Sequence, residues 1–209
     1  MTNTKAQRSQ IVAGAAKHLL ENGPPYPGYK EIGESADISR QLIRYYFSEP
    51  DELMCEVCDL LAEAYRMALV NGVETLDGPK RLQFIFDFYF DLVDDVPKPR
   101  DDQTYDAMFA FSARSDRIAT NLRGQYTLLG QVLQLELKMQ FPDLSLEDCA
   151  EIGYLFVCIM YGHWKLVGTL GVAEDHKLIA RRAIDRIITS YATQTHQPIA
   201  PVKVWETKE

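Results

Sequence analysis

Helical spacing of apolar residues runs through almost the whole chain, and it is the feature that most limits the fold. In residues 5–22, for example, Ile11, Ala15 and Leu19 recur at intervals that place them on one helix face. No segment shows the apolar–polar alternation with β-branched residues that is typical of strands. The sequence therefore predicts an all-α protein of about nine helices joined by short connections.

Proline, glycine and cap residues mark where the helices begin and end. Residues 22–25 (Asn-Gly-Pro-Pro) end the first helix, and Ser39 is suited to cap a short helix ending near Phe47. Ser145 and Asp148 form a capping-box pattern before the next-to-last helix. The predicted helices cover residues 5–22, 29–36, 39–47, 48–72, 79–96, 104–111, 115–141, 146–170 and 175–195.

Composition indicates a protein with a real core and no membrane span. Apolar residues make up 46% of the 209 residues, which is enough to bury a core. The longest apolar run, residues 152–161, covers about half of the ~20 residues that a membrane helix needs. The N-terminus is interrupted by Lys5, Gln7 and Arg8 and does not resemble a signal peptide. We therefore expect a soluble, cytoplasmic protein with no membrane partner.

The chemistry-bearing residues predict neither a metal site nor an enzyme. Cys55 and Cys58 form a C-x-x-C pair, but zinc would need two further ligands, and the histidines are scattered along the chain. Two cysteines three apart on a helix are best interpreted as part of a core stripe. No glycine-rich phosphate loop, metalloprotease motif or nucleophile elbow is present. We expect no catalytic residues, no metal and no cofactor.

Charge is distributed unevenly along the chain. The net charge is −8, yet residues 1–47 hold six basic and four acidic side chains, a net charge of +2. The remaining residues carry a net charge of −10. This asymmetry favours the N-terminal segment as the part that faces phosphate.

Residues 29–47 have the pattern of two short helices joined by a tight turn. Ile32, Ala36 and Ile38 are expected to pack inward, while Ile43 and Phe47 return the second helix to the core. The outward side chains are then those of Arg40, Gln41, Arg44 and Tyr45. Arginine and glutamine can form paired hydrogen bonds with guanine and adenine edges in the major groove. The pattern predicts a DNA-binding helix-turn-helix.

The same segment resembles the N-terminal head of the TetR family of transcriptional regulators. The resemblance covers about 45 residues without gaps. It is carried by residues shared with the family pattern: Ile11, Ala15, Gly23, Ile32, Gly33, Ala36, Asp37, Ile38, Ser39, Tyr45, Tyr46, Phe47 and Leu53. The sequence departs from the pattern at three places. Pro27 and Gly28 replace a hydroxyl cap, Arg44 replaces a phosphate-contacting tyrosine, and Pro50 replaces a lysine that grips the backbone.

The resemblance implies three functional regions. These are a helix-turn-helix DNA-binding domain at residues 1–48, a ligand-binding and dimerisation domain at residues 49–196, and an irregular tail at residues 197–209. It also implies a homodimer that binds a palindromic operator in double-stranded DNA. The expected DNA-binding residues are Lys30, Ser39, Arg40, Gln41, Leu42, Arg44, Tyr45 and Tyr46.

The body offers candidates for a ligand pocket and for a dimer interface. Aromatic and apolar side chains could line a cavity for a small-molecule effector or could equally form solid core: Phe84, Phe88, Tyr105, Met108, Phe109, Tyr126, Tyr154 and Trp164. The last two helices are expected to form the interface, and its candidates are Tyr161, Ile179, Ala183, Ile187 and Tyr191. Asp87, Asp91 and Asp94 share a helix face and are interpreted as a solvated acidic stripe.

Two functional hypotheses follow. The first is a sequence-specific transcriptional regulator, a repressor that a small-molecule effector releases from DNA. The second is a small-molecule-binding or scaffold protein of the same fold whose head does not read DNA. The departures at Pro27, Gly28 and Pro50 motivate the second hypothesis.

Overall fold

The secondary structure is entirely helical in the part of the chain that the structure describes. The computed structural model describes residues 2–25, 27–193 and 204–205, with side chains from residue 4. The predicted all-α class is therefore confirmed for these residues. Their α-helices are α1 (Thr2–Asn22), α2 (Tyr29–Ala36), α3 (Arg40–Tyr46), α4 (Pro50–Val73), α5 (Gly78–Tyr89), α6 (Asp102–Ser112), α7 (Asp116–Gln140), α8 (Leu146–Trp164) and α9 (Lys177–Thr193).

Most predicted helix boundaries agree with this structure to within a few residues. The end of α1, both ends of α2 and the Ser145–Asp148 capping box of α8 are as expected. A π-helical turn (Lys165–Thr169) follows α8, and a short 3-10 turn (Glu174–His176) precedes α9. No helix in these residues combines the length and the hydropathy needed to cross a bilayer. The predicted irregular tail lies outside the described residues, apart from residues 204–205.

The prediction of a helix over residues 79–96 is wrong at its C-terminal end. The helix α5 ends at Tyr89, because Asp91 adopts a left-handed backbone conformation with φ of 54°. The backbone N–H groups of Asp91 and Leu92 donate to the carbonyls of Phe88 and Asp87, at 3.0 and 2.9 Å. This is the hydrogen-bond pattern of a Schellman cap, with aspartate in the position where glycine is usual.

The chain forms two compact units. Unit 1 comprises Met1–Arg66 and Arg100–Gln125, and unit 2 comprises Met67–Pro99 and Tyr126–Glu209. This division by packing does not fall at residue 48, where the functional boundary was predicted, because α6 and the first parts of α4 and α7 belong to the same unit as α1–α3. The functional boundary stays a prediction.

The core of unit 1 joins α1, α2 and α3 to α4, α6 and the start of α7. Its fully buried side chains include Ile11, Leu19, Ile32, Ile43, Phe47, Leu53, Met54, Val57, Cys58 and Met108. Burying each large aliphatic side chain contributes roughly 1.5–3 kcal/mol to stability. The predicted inward residues Ile32 and Ala36 are buried, and Ile38 packs against this core.

Cys55 and Cys58 belong to the core stripe of α4, as predicted. Cys58 is wholly buried and Cys55 nearly so. Burial raises the pKa of the Cys58 thiol to about 12, and it also raises the pKa of the Cys55 thiol. Both thiols therefore stay protonated near neutral pH, which is typical of structural cysteines.

The helices α1 and α2 approach each other at Gly14. A Cβ at this position would lie 2.9 Å from the Cα of Ala36, closer than any real Cβ contact. Nearby, the Gln10 amide donates to the carbonyl of Ala36 at 2.8 Å and so satisfies the last residue of α2. Glycine at residue 14 thus sets the spacing between the first two helices.

Arg8 connects α1 to both α3 and α4. Its guanidinium donates to the carbonyl of Tyr46 at 3.0 Å and pairs with the carboxylates of Glu52 and Glu56. The guanidinium also lies 4.1 Å from the ring centroid of Phe47. The hydrogen bond with Glu56 is the main cause that raises the pKa of Arg8. One side chain therefore fixes the end of α3 between α1 and α4.

Unit 2 has an aromatic core built from α5 and α8. The ring of Phe156 lies 5.0 Å from that of Phe86, 5.7 Å from that of Tyr89 and 5.9 Å from that of Phe90. The indole N–H of Trp164 donates to the carbonyl of Tyr89 at 2.8 Å. Such ring pairs add to the stabilisation that burial alone provides.

The interpretation of Asp87, Asp91 and Asp94 as a solvated stripe on one helix is wrong for two of the three. Asp87 accepts a hydrogen bond from Arg181 of α9 at 2.6 Å. Asp91 accepts from the backbone N–H of Lys98 at 3.0 Å and lies 3.7 Å from the ammonium of Lys177. Asp94 is exposed. Asp87 of α5 and Asp91, which follows the helix, therefore attach α9 by ion pairs.

We predict that Gly14→Ala lowers the free energy of unfolding by about 1–3 kcal/mol, because the added methyl group forces α1 and α2 apart. Gly124→Ala is the matched control, since no atom lies within 4 Å of a Cβ there. In the middle of α7 it is expected to add about 0.5–1 kcal/mol of stability. Urea denaturation followed by far-ultraviolet circular dichroism measures both. Equal stability of the two variants would contradict the close approach at Gly14.

We predict that Arg8→Met lowers the free energy of unfolding by about 1.5–3 kcal/mol, because it leaves two carboxylates and a carbonyl without their cation. Lys17→Met is the control, since Lys17 and Glu21 form an exposed pair at 4.0 Å. Exposed pairs of this kind contribute about 0–1 kcal/mol. Denaturation midpoints measure the difference, and a loss no larger than that of the control would refute the connecting role of Arg8.

Candidate DNA-binding surface

The helices α2 and α3 are joined by a tight turn at Asp37 and Ile38. Asp37 adopts the left-handed conformation with φ of 54°, and the N–H of Ile38 donates to the carbonyl of Gly33 at 3.0 Å. The hydroxyl of Ser39 then accepts a hydrogen bond from the N–H of Leu42 at 3.2 Å. Ser39 is therefore the N-cap of α3, as predicted.

Burial of Ile43 and Phe47 fixes which face of α3 points outward. Both side chains are 0% exposed in the core of unit 1. The phenol of Tyr29 donates to the carbonyl of Phe47 at 2.7 Å and so ties α2 to the end of α3. Burial is the main cause that raises the pKa of this phenol, with the charge of Glu49 adding to the effect. The hydroxyl therefore remains a donor at physiological pH.

The opposite face of α3 is exposed. It carries four side chains that were predicted to contact DNA: Arg40, Gln41, Arg44 and Tyr45. Tyr45 is 80% exposed, an unusual degree of exposure for an aromatic residue. Neither Arg40 nor Arg44 forms an ion pair with the residues described here. The face therefore presents two available cations, an amide and a phenol.

The remaining predicted DNA-binding residues are placed less uniformly. Lys30 is exposed on α2, with its ammonium 3.9 Å from the carboxylate of Glu34. Leu42 is half-buried beside the exposed face. Tyr46 is also half-buried, and its hydroxyl donates to the side chain of Gln7 in α1. Direct DNA contacts by Leu42 and Tyr46 stay predictions.

The ligand-pocket candidates belong to both compact units. Met108 is buried in the core of unit 1, where Tyr105 and Phe109 pack against it. In unit 2 the rings of Phe84 and Phe88 stack with centroids 6.3 Å apart. A role of Met108 and these rings in a pocket stays a prediction.

The other pocket candidates in unit 2 differ in exposure. Trp164 is buried, Tyr126 is half-buried and Tyr154 is 48% exposed. The ring of Tyr154 lies 5.5 Å from that of Trp205. The predicted pocket stays a prediction. Within the described ranges, no three histidine, cysteine or acidic side chains are grouped to hold a metal ion.

The dimer-interface candidates on α9 lie beside its buried face rather than on it. The buried residues of α9 are Arg181, Ile184 and Ile188. Ile179 is 58% exposed, and the other candidates on α8 and α9 are half-buried: Tyr161, Ala183, Ile187 and Tyr191. The phenol of Tyr191 donates to Glu151 at 2.7 Å, and burial, with this bond adding to it, raises its pKa to about 12.

Sequence reasoning missed an exposed apolar stripe on α7. Its members recur at helical spacing: Leu128, Val132, Leu135 and Met139. Their positions follow the amphipathic rule, but the sequence does not tell which of the two apolar faces of α7 is buried. Leu133 and Leu137 are the ones that enter the core.

Solved structures with the same fold cover most of this chain at low sequence identity. A TetR transcription regulator from Haloarcula marismortui matches with a TM-score of 0.74 and 17% identity, over 90% of this chain and 98% of its own. A transcriptional regulator from Rhodococcus sp. Rha1 matches with a TM-score of 0.71 and 15% identity, over 88% and 95% of the two chains. A protein described as a transcriptional regulator of Saccharomonospora viridis, solved in complex with choline, gives a TM-score of 0.70 and 17% identity, over 88% and 96%.

The sequence comparisons add no closer match. No protein-family model matches the sequence, and no curated protein matches it significantly. The structural matches extend over nearly the full length of each regulator, so the likeness includes both the N-terminal head and the helical body. The chain therefore has the fold of the TetR-type transcriptional regulators.

Proposed function

We propose that this chain is a member of the TetR family and acts as a sequence-specific, DNA-binding transcriptional regulator. The observation that carries the proposal is the exposed face of α3, where Arg40, Gln41 and Arg44 project from a helix held in place by buried residues. A helix presented in this way fits the major groove, and its side chains match the donor and acceptor patterns of guanine and adenine.

The regulator acts as a homodimer on a palindromic operator. A two-fold dimer places two α3 helices on half-sites about 34–36 Å apart, one turn of DNA. Exposed apolar side chains on α9, Leu178 and Ile179, support an interface there. Isolated exposed apolar residues are common on proteins, whereas exposed apolar side chains grouped on one surface favour a covered surface.

The regulator is a repressor that a small-molecule effector releases from DNA. The fold match with a protein bound to choline supports an effector of small organic type. The effector would bind the helical body and favour a conformation in which the two heads no longer fit successive half-sites. Release requires that the effector bind this conformation more tightly than the DNA-binding one.

A second candidate is a small-molecule-binding or scaffold protein whose head does not read DNA. The favouring observation is that Gly28, the N-cap of α2, provides no side-chain hydrogen bond. The start of α4 also lacks a cation, since its first residues are Pro50, Asp51 and Glu52. Phosphate contacts dominate affinity for DNA, so a head without enough of them binds weakly.

We predict that the chain binds a duplex from its own promoter region. A double variant with Gln41→Ala and Arg44→Ala is expected to bind this duplex more weakly, by about 1–3 kcal/mol for each lost base contact. Fluorescence anisotropy across a salt series measures the affinity. Arg123→Ala, an exposed arginine on α7, is the control and is expected to retain operator preference. Unchanged preference in the double variant would refute the assignment of α3. Absence of any sequence preference in the wild type would favour the second candidate.

We predict that Ile179→Glu raises the dissociation constant of the dimer by at least about tenfold, because it buries a charge in place of an aliphatic side chain. Sedimentation equilibrium of the full chain, whose protomer mass is 23.8 kDa, measures the association. Leu135→Glu on the exposed stripe of α7 is the matched variant. Dissociation with Leu135→Glu alone would place the interface on α7 instead.

A further inference from the structure

The turn between α6 and α7 contacts the first turn of α4. The hydroxyl of Ser115 donates to the carboxylate of Asp51 at 2.6 Å. Further along both helices, Asn121 and Gln125 donate to Asp59 at 2.9 and 3.1 Å. Because each helix rises 1.5 Å per residue, these contacts show that the first halves of α4 and α7 run parallel and begin side by side.

Buried contacts hold this arrangement. Ile118 and Leu122 of α7 are 1% and 3% exposed in the core that also contains Leu53 and Val57 of α4. The Ser115 hydroxyl also accepts from the N–H of Ile118 at 3.3 Å and so caps the start of α7. The turn is therefore positioned by packing and hydrogen bonds and is not a free loop.

Two arginines on this turn point into solvent beside α4. Arg114 and Arg117 are both exposed, and neither forms an ion pair with any residue that the structure describes. Arg117 is close enough to α4 to act on Cys55. Burial raises the pKa of the Cys55 thiol, and the positive charge of Arg117 partly offsets this effect. Asp116 lies between the two arginines, so the turn keeps a net positive charge.

The position of these arginines relative to α3 follows from the chain. Only residues 47–49 separate α3 from α4, so the start of α4 lies close to the C-terminal end of α3, where Arg44 and Tyr45 are exposed. Packed helices have axes about 8–10 Å apart, which places the turn one helix width to the side. A major groove is about 12 Å wide, so a turn at this distance from the end of α3 is close enough for the sugar–phosphate wall of a groove that α3 occupies.

We infer that Arg114 and Arg117 form a second phosphate-contacting site, which extends the DNA-binding surface from α3 to the α6–α7 turn. At the start of α4, Glu52 is paired with Arg8, whereas Asp51 accepts a hydrogen bond from the uncharged Ser115, so the charge of Asp51 repels phosphate. The two arginines supply the cations that this edge of the surface otherwise lacks. Their contacts are independent of base sequence, because they reach only the backbone. This inference rests on the proposed function of α3 as the DNA-reading helix.

The test measures DNA affinity for the wild type and for a double variant that carries both Arg114→Gln and Arg117→Gln. Each protein is titrated onto the promoter duplex and onto a fluorescein-labelled duplex of arbitrary sequence. Each lost phosphate contact lowers the slope of log affinity against log salt by about 0.9, so the slope is expected to fall by about 2 on both duplexes. The affinity at moderate salt is expected to fall about tenfold. Circular dichroism checks that the variant is folded.

Two further variants make the result specific. Arg123→Gln removes an exposed arginine from the same helix and is expected to keep the wild-type slope. Arg114→Lys with Arg117→Lys keeps both charges and is expected to restore most of the slope. A double glutamine variant with the wild-type slope would overturn the inference. So would a variant whose affinity falls on the promoter duplex while its slope is unchanged, since that pattern indicates an indirect effect through α3.

The inference and the proposed function fail in different ways. If the wild type shows no preference for the promoter duplex, the proposed sequence-specific function fails. The slope on the arbitrary duplex then still decides whether the two arginines contact phosphate. A wild-type chain that binds neither duplex at any salt overturns both.

Discussion

A helix of seven residues is too short to be stable by itself, and this constraint governs the whole N-terminal head. Isolated helices shorter than about 12–15 residues are marginal in water, so α3 exists only because its neighbours hold it. Ile43 and Phe47 provide the buried side, and Arg8 and Tyr29 bond the carbonyls at its end. The same contacts that stabilise α3 therefore determine which of its side chains face outward.

The parts of the fold that were predictable are those that local chemistry determines. The bounds of α2 and α3 follow from residues within a few positions of each other, such as the Ser39 cap and the left-handed Asp37. The end of α5 was not predictable in this way. Aspartate is tolerated in the left-handed conformation at residue 91, where Lys177 of α9 lies near its carboxylate. Lys177 is far from Asp91 in the sequence, so the spacing of apolar residues in 79–96 cannot predict this contact.

The candidate site shows the same division. The exposed face of α3 was predictable, because a helical wheel anchored by apolar residues leaves a definite set of polar ones outside. The connecting role of Arg8 and the position of the α6–α7 turn depend on how distant segments pack. The pocket candidates depend on residue type, and the interface candidates depend on the family resemblance, which implies an interface at the last two helices. Met108 illustrates the limit, since the same apolar character that fits a cavity wall also fits a core.

The location of the tryptophans has a practical consequence for spectroscopy. The chain has two, and both belong to unit 2, where Trp164 is buried and Trp205 packs beside Tyr154. Tryptophan emission therefore reports on the surroundings of unit 2 and not on residues 1–66. Unfolding followed by tryptophan emission therefore needs a second signal, such as far-ultraviolet circular dichroism, to include the part that carries α3.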